Sequence, residues 1–226
     1  MAVYDLEEQE QLEEIKAWWK VYGNLVTGII LLCALVVLSW QGWGWWQRSE
    51  SAKAGSVFSG VQQAVAQNDA KRARELAGEL IDKYSSTNYA VMGALVAARV
   101  QVDAGDAKNA RVQLAWAVEN AKDDGLRDLA RLRLASVLLD EKLYDEAYKQ
   151  VSASASKPFL RRFAELRGDI LATQGKLVEA RSAYDIALTK TDDGAKPEDG
   201  QRDMIYNELL QAKRQSLVLP NAGQTK

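Results

Sequence analysis

Residues 168–187 read GDILATQGKLVEARSAYDIA, and residues 98–117 read ARVQVDAGDAKNARVQLAWA. Laid over one another, Gly168, Gly175, Ala180, Tyr184 and Ala187 fall on Ala98, Gly105, Ala110, Leu114 and Ala117 with identical internal spacing. Between them, Ala135, Ala147, Val151 and Ser154 keep that spacing, while Lys142 replaces the turn glycine. A weaker unit comes earlier, at Val61, Asn68, Ala73, Ala77 and Leu80, and the unit-to-unit steps are 37, 37 and 33 residues. A small side chain in one helix facing an alanine in the next lets two helices pack closely, so each unit reads as a helical hairpin.

The period is near the ~34 residues of tetratricopeptide repeats. The expected fold is therefore all-α: a tetratricopeptide-like α-solenoid of about four hairpins over residues 48–218, closed by a C-terminal capping helix. The amphipathic pattern predicts helices near 52–67, 69–83, 88–104, 107–121, 126–140, 143–155, 159–174 and 177–190. Asp69 and Asp106 stand where an N-cap carboxylate would accept free N–H groups of a second helix. Asn68 and Gly105, just before them, end the first. A polar loop at Thr191–Gly200, with Pro197, precedes a last helix around Gln201–Val218, whose Ile205, Leu209 and Ala212 would seal the open end of the stack. Residues 219–226 read as a flexible tail.

Ahead of the repeats, residues 21–47 contain no charged side chain, and ten of the fourteen residues Leu25–Leu38 are Leu, Ile or Val. At roughly −0.3 to −0.6 kcal/mol each, those ten favour insertion into a bilayer by about 3–6 kcal/mol. The run is long enough to cross a ~30 Å hydrocarbon core as a helix. Six of the seven tryptophans stand at its ends, Trp18 and Trp19 before it and Trp40, Trp43, Trp45 and Trp46 after it. Indoles settle at the headgroup level, so these six are the expected membrane-interface residues. Lys16 and Lys20 on one side balance Arg48 and Lys53 on the other, leaving orientation open by the positive-inside rule. Residues 1–20 hold six acids against two lysines and read as a solvated acidic tail. Cys33, the one cysteine, reads as a small buried apolar residue.

Composition excludes several kinds of chemistry. The chain has no histidine and a single cysteine, which removes a His-based triad, a conventional zinc site and a redox pair. A net charge of −2 offers no basic face for nucleic acid. No phosphate-cradling glycine loop, nucleophile elbow or H-E-x-x-H motif occurs. The acid pairs Asp123–Asp124 and Asp192–Asp193 lie at predicted turns, where caps are expected. Neither an enzyme, a metal nor a cofactor is expected.

What remains is surface. First helices line the inner curve of such a solenoid. Register places Met92, Leu95, Arg99, Val102 and Asp103 there, then Leu129, Leu132, Ser136, Leu139 and Asp140, then Arg162, Glu165 and Asp169. Apolar residues mixed with Arg and Asp suit adaptable binding of polypeptide. The competing reading is that Leu95, Leu132 and Leu139 are inter-helix core and the charges merely solvated.

The layout also has a family likeness. An acidic leader from Val3-Tyr4 through Lys16-Ala17-Trp18-Trp19-Lys20 precedes one span ending in a tryptophan cluster. Then come Tyr89-Ala90-Val91-Met92-Gly93-Ala94-Leu95, Gly168-Asp169-Ile170-Leu171, Gly175-Lys176 and Ala180-Arg181-Ser182-Ala183-Tyr184. Over nearly its whole length the chain resembles the YfgM-like family, the ancillary subunits of the bacterial Sec translocon. The resemblance implies a single-pass inner-membrane protein, N-terminus in the cytoplasm and helical domain in the periplasm. It implies association with SecYEG and with a membrane-anchored prolyl-isomerase-like chaperone (PpiD), assisting newly exported polypeptides. It brings no catalytic residues. The rival from the residues alone is a scaffold for an envelope complex unrelated to secretion.

Overall fold

The computed structural model describes residues 4–189 and 200–217. Among them every regular element is helical: α1 (Tyr4–Ala66), α2 (Ala70–Lys83), α3 (Asn88–Asp103), α4 (Ala107–Asn120), α5 (Asp124–Asp140), α6 (Tyr144–Ser152), α7 (Leu160–Thr173), α8 (Leu177–Thr189) and α9 (Gly200–Ser216), with a 3₁₀ turn at Lys157–Phe159. The chain divides into two compact units at Glu50 and Ser51. Of the loop expected at Thr191–Gly200, Gly200 opens α9 and residues 191–199 lie outside the described residues, as does the tail expected at 219–226.

In the first unit, α1 is already helical at Tyr4. Its Glu, Gln, Leu and Lys are good helix formers, and no Gly or Pro interrupts them before Gly23. Nor does a separate helix begin near residue 52, because α1 runs on to Ala66. The apolar stretch is long and apolar enough to cross a membrane, with only 6% of its most apolar window buried within the protein. Cys33 is exposed on this surface, a correction to its reading as a buried residue. Trp18 lies beside both Trp19 and Tyr22, and Trp43 beside Trp46.

In the second unit, each turn inside a hairpin is built the same way. Asn68, Gly105, Lys142 and Gly175 all have positive φ, between 58° and 77°. The next residue's N–H reaches back to close the helix end: Asp69 to Ala64 O, Asp106 to Gln101 O, Leu143 to Leu138 O and Lys176 to Leu171 O, at 2.8–2.9 Å. These are left-handed Schellman closures, and glycine is the residue that adopts them without strain. Asp69 and Asp106 then cap the following helices, accepting from the N–H of Arg72 and Asn109 at 2.9 and 3.2 Å.

The small residues of the repeat pack as the spacing requires. Ala98, Ala110, Leu114, Ala117, Ala135, Ala147 and Val151 share one buried cluster. A Cβ added at Gly168 would meet the Tyr184 ring at 2.5 Å, so glycine there makes room for the ring. Ser154 breaks the pattern: it is exposed, because α6 ends at Ser152. The chain then turns, and both the N–H and the hydroxyl of Ser156 donate to buried Asp128, at 2.8 and 2.7 Å. Pro158, in the 3₁₀ turn, supplies no N–H and suits this entry to α7.

Candidate functional site

First helices touch one another directly, α3 against α5 and α5 against α7, while the second helices share no comparable contact. The first helices therefore line the tighter, inner side. Along it, Arg99 is open to solvent and its Nε donates to both oxygens of Asp103, at 2.9 and 2.8 Å. Ser136 and Asp140 are also exposed, and Ser136 Oγ donates to Leu132 O at 3.0 Å. Val102 is exposed, whereas Met92, Leu129, Leu132 and Leu139 are half-buried against the cores. Leu95 is a core residue and is not available at the surface. The chain thus satisfies its packing stripe first and leaves a charged, partly apolar rim outside it.

At the α7 end, the inner side is covered by α9. Arg161 is buried, pairs with Asp203 at 3.1 Å and donates to the Asn207 side chain. Arg161 and Arg162 both stack over the Tyr206 ring, at 4.1 and 4.3 Å from its centre. Glu165 accepts from the Tyr206 hydroxyl and from Lys213 Nζ, the latter at 2.9 Å. Lys213 Nζ also reaches Asp169 at 2.8 Å, and Asp169 accepts from the Tyr184 hydroxyl at 2.7 Å. Of the expected inner-curve residues, then, Glu165, 8% exposed, and Asp169 are engaged by α9, while Arg162 keeps an exposed side chain.

Charge states follow the geometry. Burial pushes the Glu165 carboxyl up, but the hydrogen bonds from Tyr206 and Lys213, with Arg162 nearby, outweigh it and hold the group below its ordinary value. Burial works against the Lys213 ammonium, and the bonds to Asp169 and Glu165 prevail and raise it. Tyr184 and Tyr206 are raised by burial and by the carboxylates they donate to.

The expected seal at Ile205, Leu209 and Ala212 is not what closes the stack. Ile205 is 61% and Leu209 49% exposed, and Ala212 is exposed as well. The opposite stripe packs inward instead: Leu210 is fully buried with Tyr184, Ala187 and Ala164, flanked by Tyr206 and Leu217. The polar partners on α7 decide this. Arg161, Glu165 and Asp169, spaced i, i+4 and i+8, ask for Asp203, Tyr206, Asn207 and Lys213.

A model of the tetratricopeptide repeat-like domain matches residues 16–218. An ancillary SecYEG translocon subunit of Neisseria gonorrhoeae is 31% identical over 214 residues, 94% of this chain and 98% of that one. The chain belongs to this family. Ancillary SecYEG translocon subunits of Escherichia coli and Haemophilus influenzae are 28% and 25% identical, over 83% and 81% of this chain and 90% of each relative. The family resemblance and the all-α, tetratricopeptide-like fold expected from the repeat both hold.

Proposed function

We propose that the chain is a membrane-anchored interaction module working beside the SecYEG translocon in the bacterial inner membrane. In this reading the N-terminus is cytoplasmic and the helical domain periplasmic. There it assists handover or folding of exported polypeptides together with a membrane-anchored chaperone of the PpiD kind. Its own part is binding, not catalysis. Trp18 and Trp19 at one headgroup level, and Trp40, Trp43, Trp45 and Trp46 at the other, hold the span in lipid. The inner rim, with Met92, Arg99, Asp103, Leu132, Ser136, Asp140 and Arg162, receives the partner. The observation that carries the reading is the alignment with the gonococcal relative, whose reach takes in the apolar span and the repeats together. A tether of this kind raises the local concentration of the binding domain at its work site.

Photocrosslinkers at Ser136 and Asp140, in intact cells, test the assignment. Adducts with channel subunits, the chaperone or exported chains are expected. Adducts only with envelope-assembly proteins would replace this reading with a scaffold elsewhere in the envelope. Protease added to intact cells and to spheroplasts tests the orientation: the helical domain is expected to be cut only in spheroplasts.

A further inference from the structure

Between α3 and α5, over Leu114 of α4, runs a half-open groove of about 280 Å³ lined by Ala98, Arg99, Val102, Asp103, Leu114, Arg133 and Val137. Its floor is apolar: Ala98, Leu114 and Val137 are buried, and Val102 stands exposed at the lip. Its charges do not balance. Two guanidiniums face one carboxylate, and that carboxylate, Asp103, is already gripped by Arg99 through both oxygens.

Arg133 is the odd group. Its Nη1 donates to the backbone oxygen of Leu95 at 3.2 Å, a neutral acceptor that fixes the head against α3. Among the described residues no carboxylate lies within ion-pair distance of it. Arg133 as a residue is exposed to solvent, and the covered part of its side chain, with Arg99 nearby, presses its pKa down. A guanidinium offers five donors in a flat fork that matches a carboxylate. Most of that fork is unused.

We propose that this groove docks an acidic–apolar polypeptide segment, whose Val- or Leu-sized side chain enters over Ala98, Leu114 and Val137 while an adjacent Asp or Glu pairs with Arg133. The occupant follows from charge: the lining carries one net positive charge beside apolar walls, and the segment supplies the missing anion and the apolar group. The anion proposed is a side-chain carboxylate, so the segment can run on past the half-open groove. The proposal rests on the reading of the inner side as a polypeptide-binding surface and names the chemistry selected there. It also contrasts with the α7 end, where the acids Glu165 and Asp169 take a lysine from α9.

The test uses the full-length chain in phosphatidylcholine nanodiscs and fluorescence anisotropy, with empty discs as the blank. The probes are acetylated, amidated twelve-residue peptides of one Leu/Val pattern carrying Glu, Gln or Lys at the same positions; amidation removes the chain-end carboxylate. The Glu peptide is expected to bind about tenfold tighter than the Gln peptide, the scale of one charge-assisted hydrogen-bonded pair. That margin shrinks as salt rises. Arg133→Met is expected to erase the margin while leaving Gln-peptide binding, and Asp103→Asn to widen it; unchanged melting confirms the fold of each. Equal binding of Glu and Gln peptides, or a full margin in Arg133→Met, overturns the proposal. If that equal binding is lost in Ser136→Trp, the inner-surface reading survives without the groove; if no peptide binds at all, both fall.

Discussion

Lys142 holds a left-handed backbone at φ 62° where two of the other three hairpin turns carry glycine. A side chain in that conformation costs roughly 1–2 kcal/mol, so Lys142→Gly is expected to raise unfolding stability by about 1 kcal/mol. Urea melts of the two proteins measure it. Gly168 argues in the opposite direction. Its missing Cβ leaves space for the Tyr184 ring, and Gly168→Ala is expected to cost about 1–3 kcal/mol by overpacking. The double variant with Tyr184→Leu, which removes the clashing ring, is expected to recover part of that loss; no recovery would mean the two side chains do not compete for one space. These positions were legible as letters because close helix approach permits so few residues. Ser154 misled for the same reason: the spacing continued after α6 had ended, since Ser156 and Pro158 turn the chain away.

The element whose packing the sequence hid is α9. It offers two stripes, an apolar one at Ile205, Leu209 and Ala212 and a mixed one at Tyr206, Leu210, Lys213 and Leu217, and apolarity alone favours the first. The second wins because α7 presents Arg161, Glu165 and Asp169, which cannot be covered without partners. Nothing in a one-chain periodicity reports what the opposite helix presents. Lys213→Met removes the ammonium from both acids, leaving Glu165 with Tyr206 and Arg162 and Asp169 with Tyr184, and is expected to cost about 2 kcal/mol, the scale of charged hydrogen bonds in a partly buried site. The pH dependence has a definite sign. Glu165 titrates below its ordinary 4.5, so its contribution is present above that value and is lost as pH falls through the depressed one. Lys213 titrates above its ordinary 10.5, so its contribution is full below that value and is lost as pH rises past the raised one. The melting difference between wild type and Lys213→Met should therefore be flat near neutrality and shrink at both extremes. A difference constant from acid to alkali would show that these charges do not hold α9.

On the scale of the whole molecule, the division into an apolar span and a repeat domain was the most legible feature, because each is written as a long periodic signal. An uncharged run needs no partner to be recognised, and a repeat confirms itself. The exception was the junction, where α1 continues through Gly42 and Gly44 to Ala66, although two glycines lower helix propensity. The division also predicts which properties separate. Replacing Leu31 and Leu35 together with arginine adds about 5–7 kcal/mol to the cost of insertion at the helix centre, against the about 3–6 kcal/mol that the aliphatic residues supply. That chain is expected to leave the membrane fraction on alkaline extraction. The domain from Ser51 onward has its own cores and keeps its melting transition. In the proposed topology the released chain loses both its passage to the periplasm and its local concentration at the membrane, so crosslinks to membrane partners should fall while peptide binding in solution persists. Crosslinks retained by the released chain would place the recognition in the helical domain alone and make the span dispensable for it.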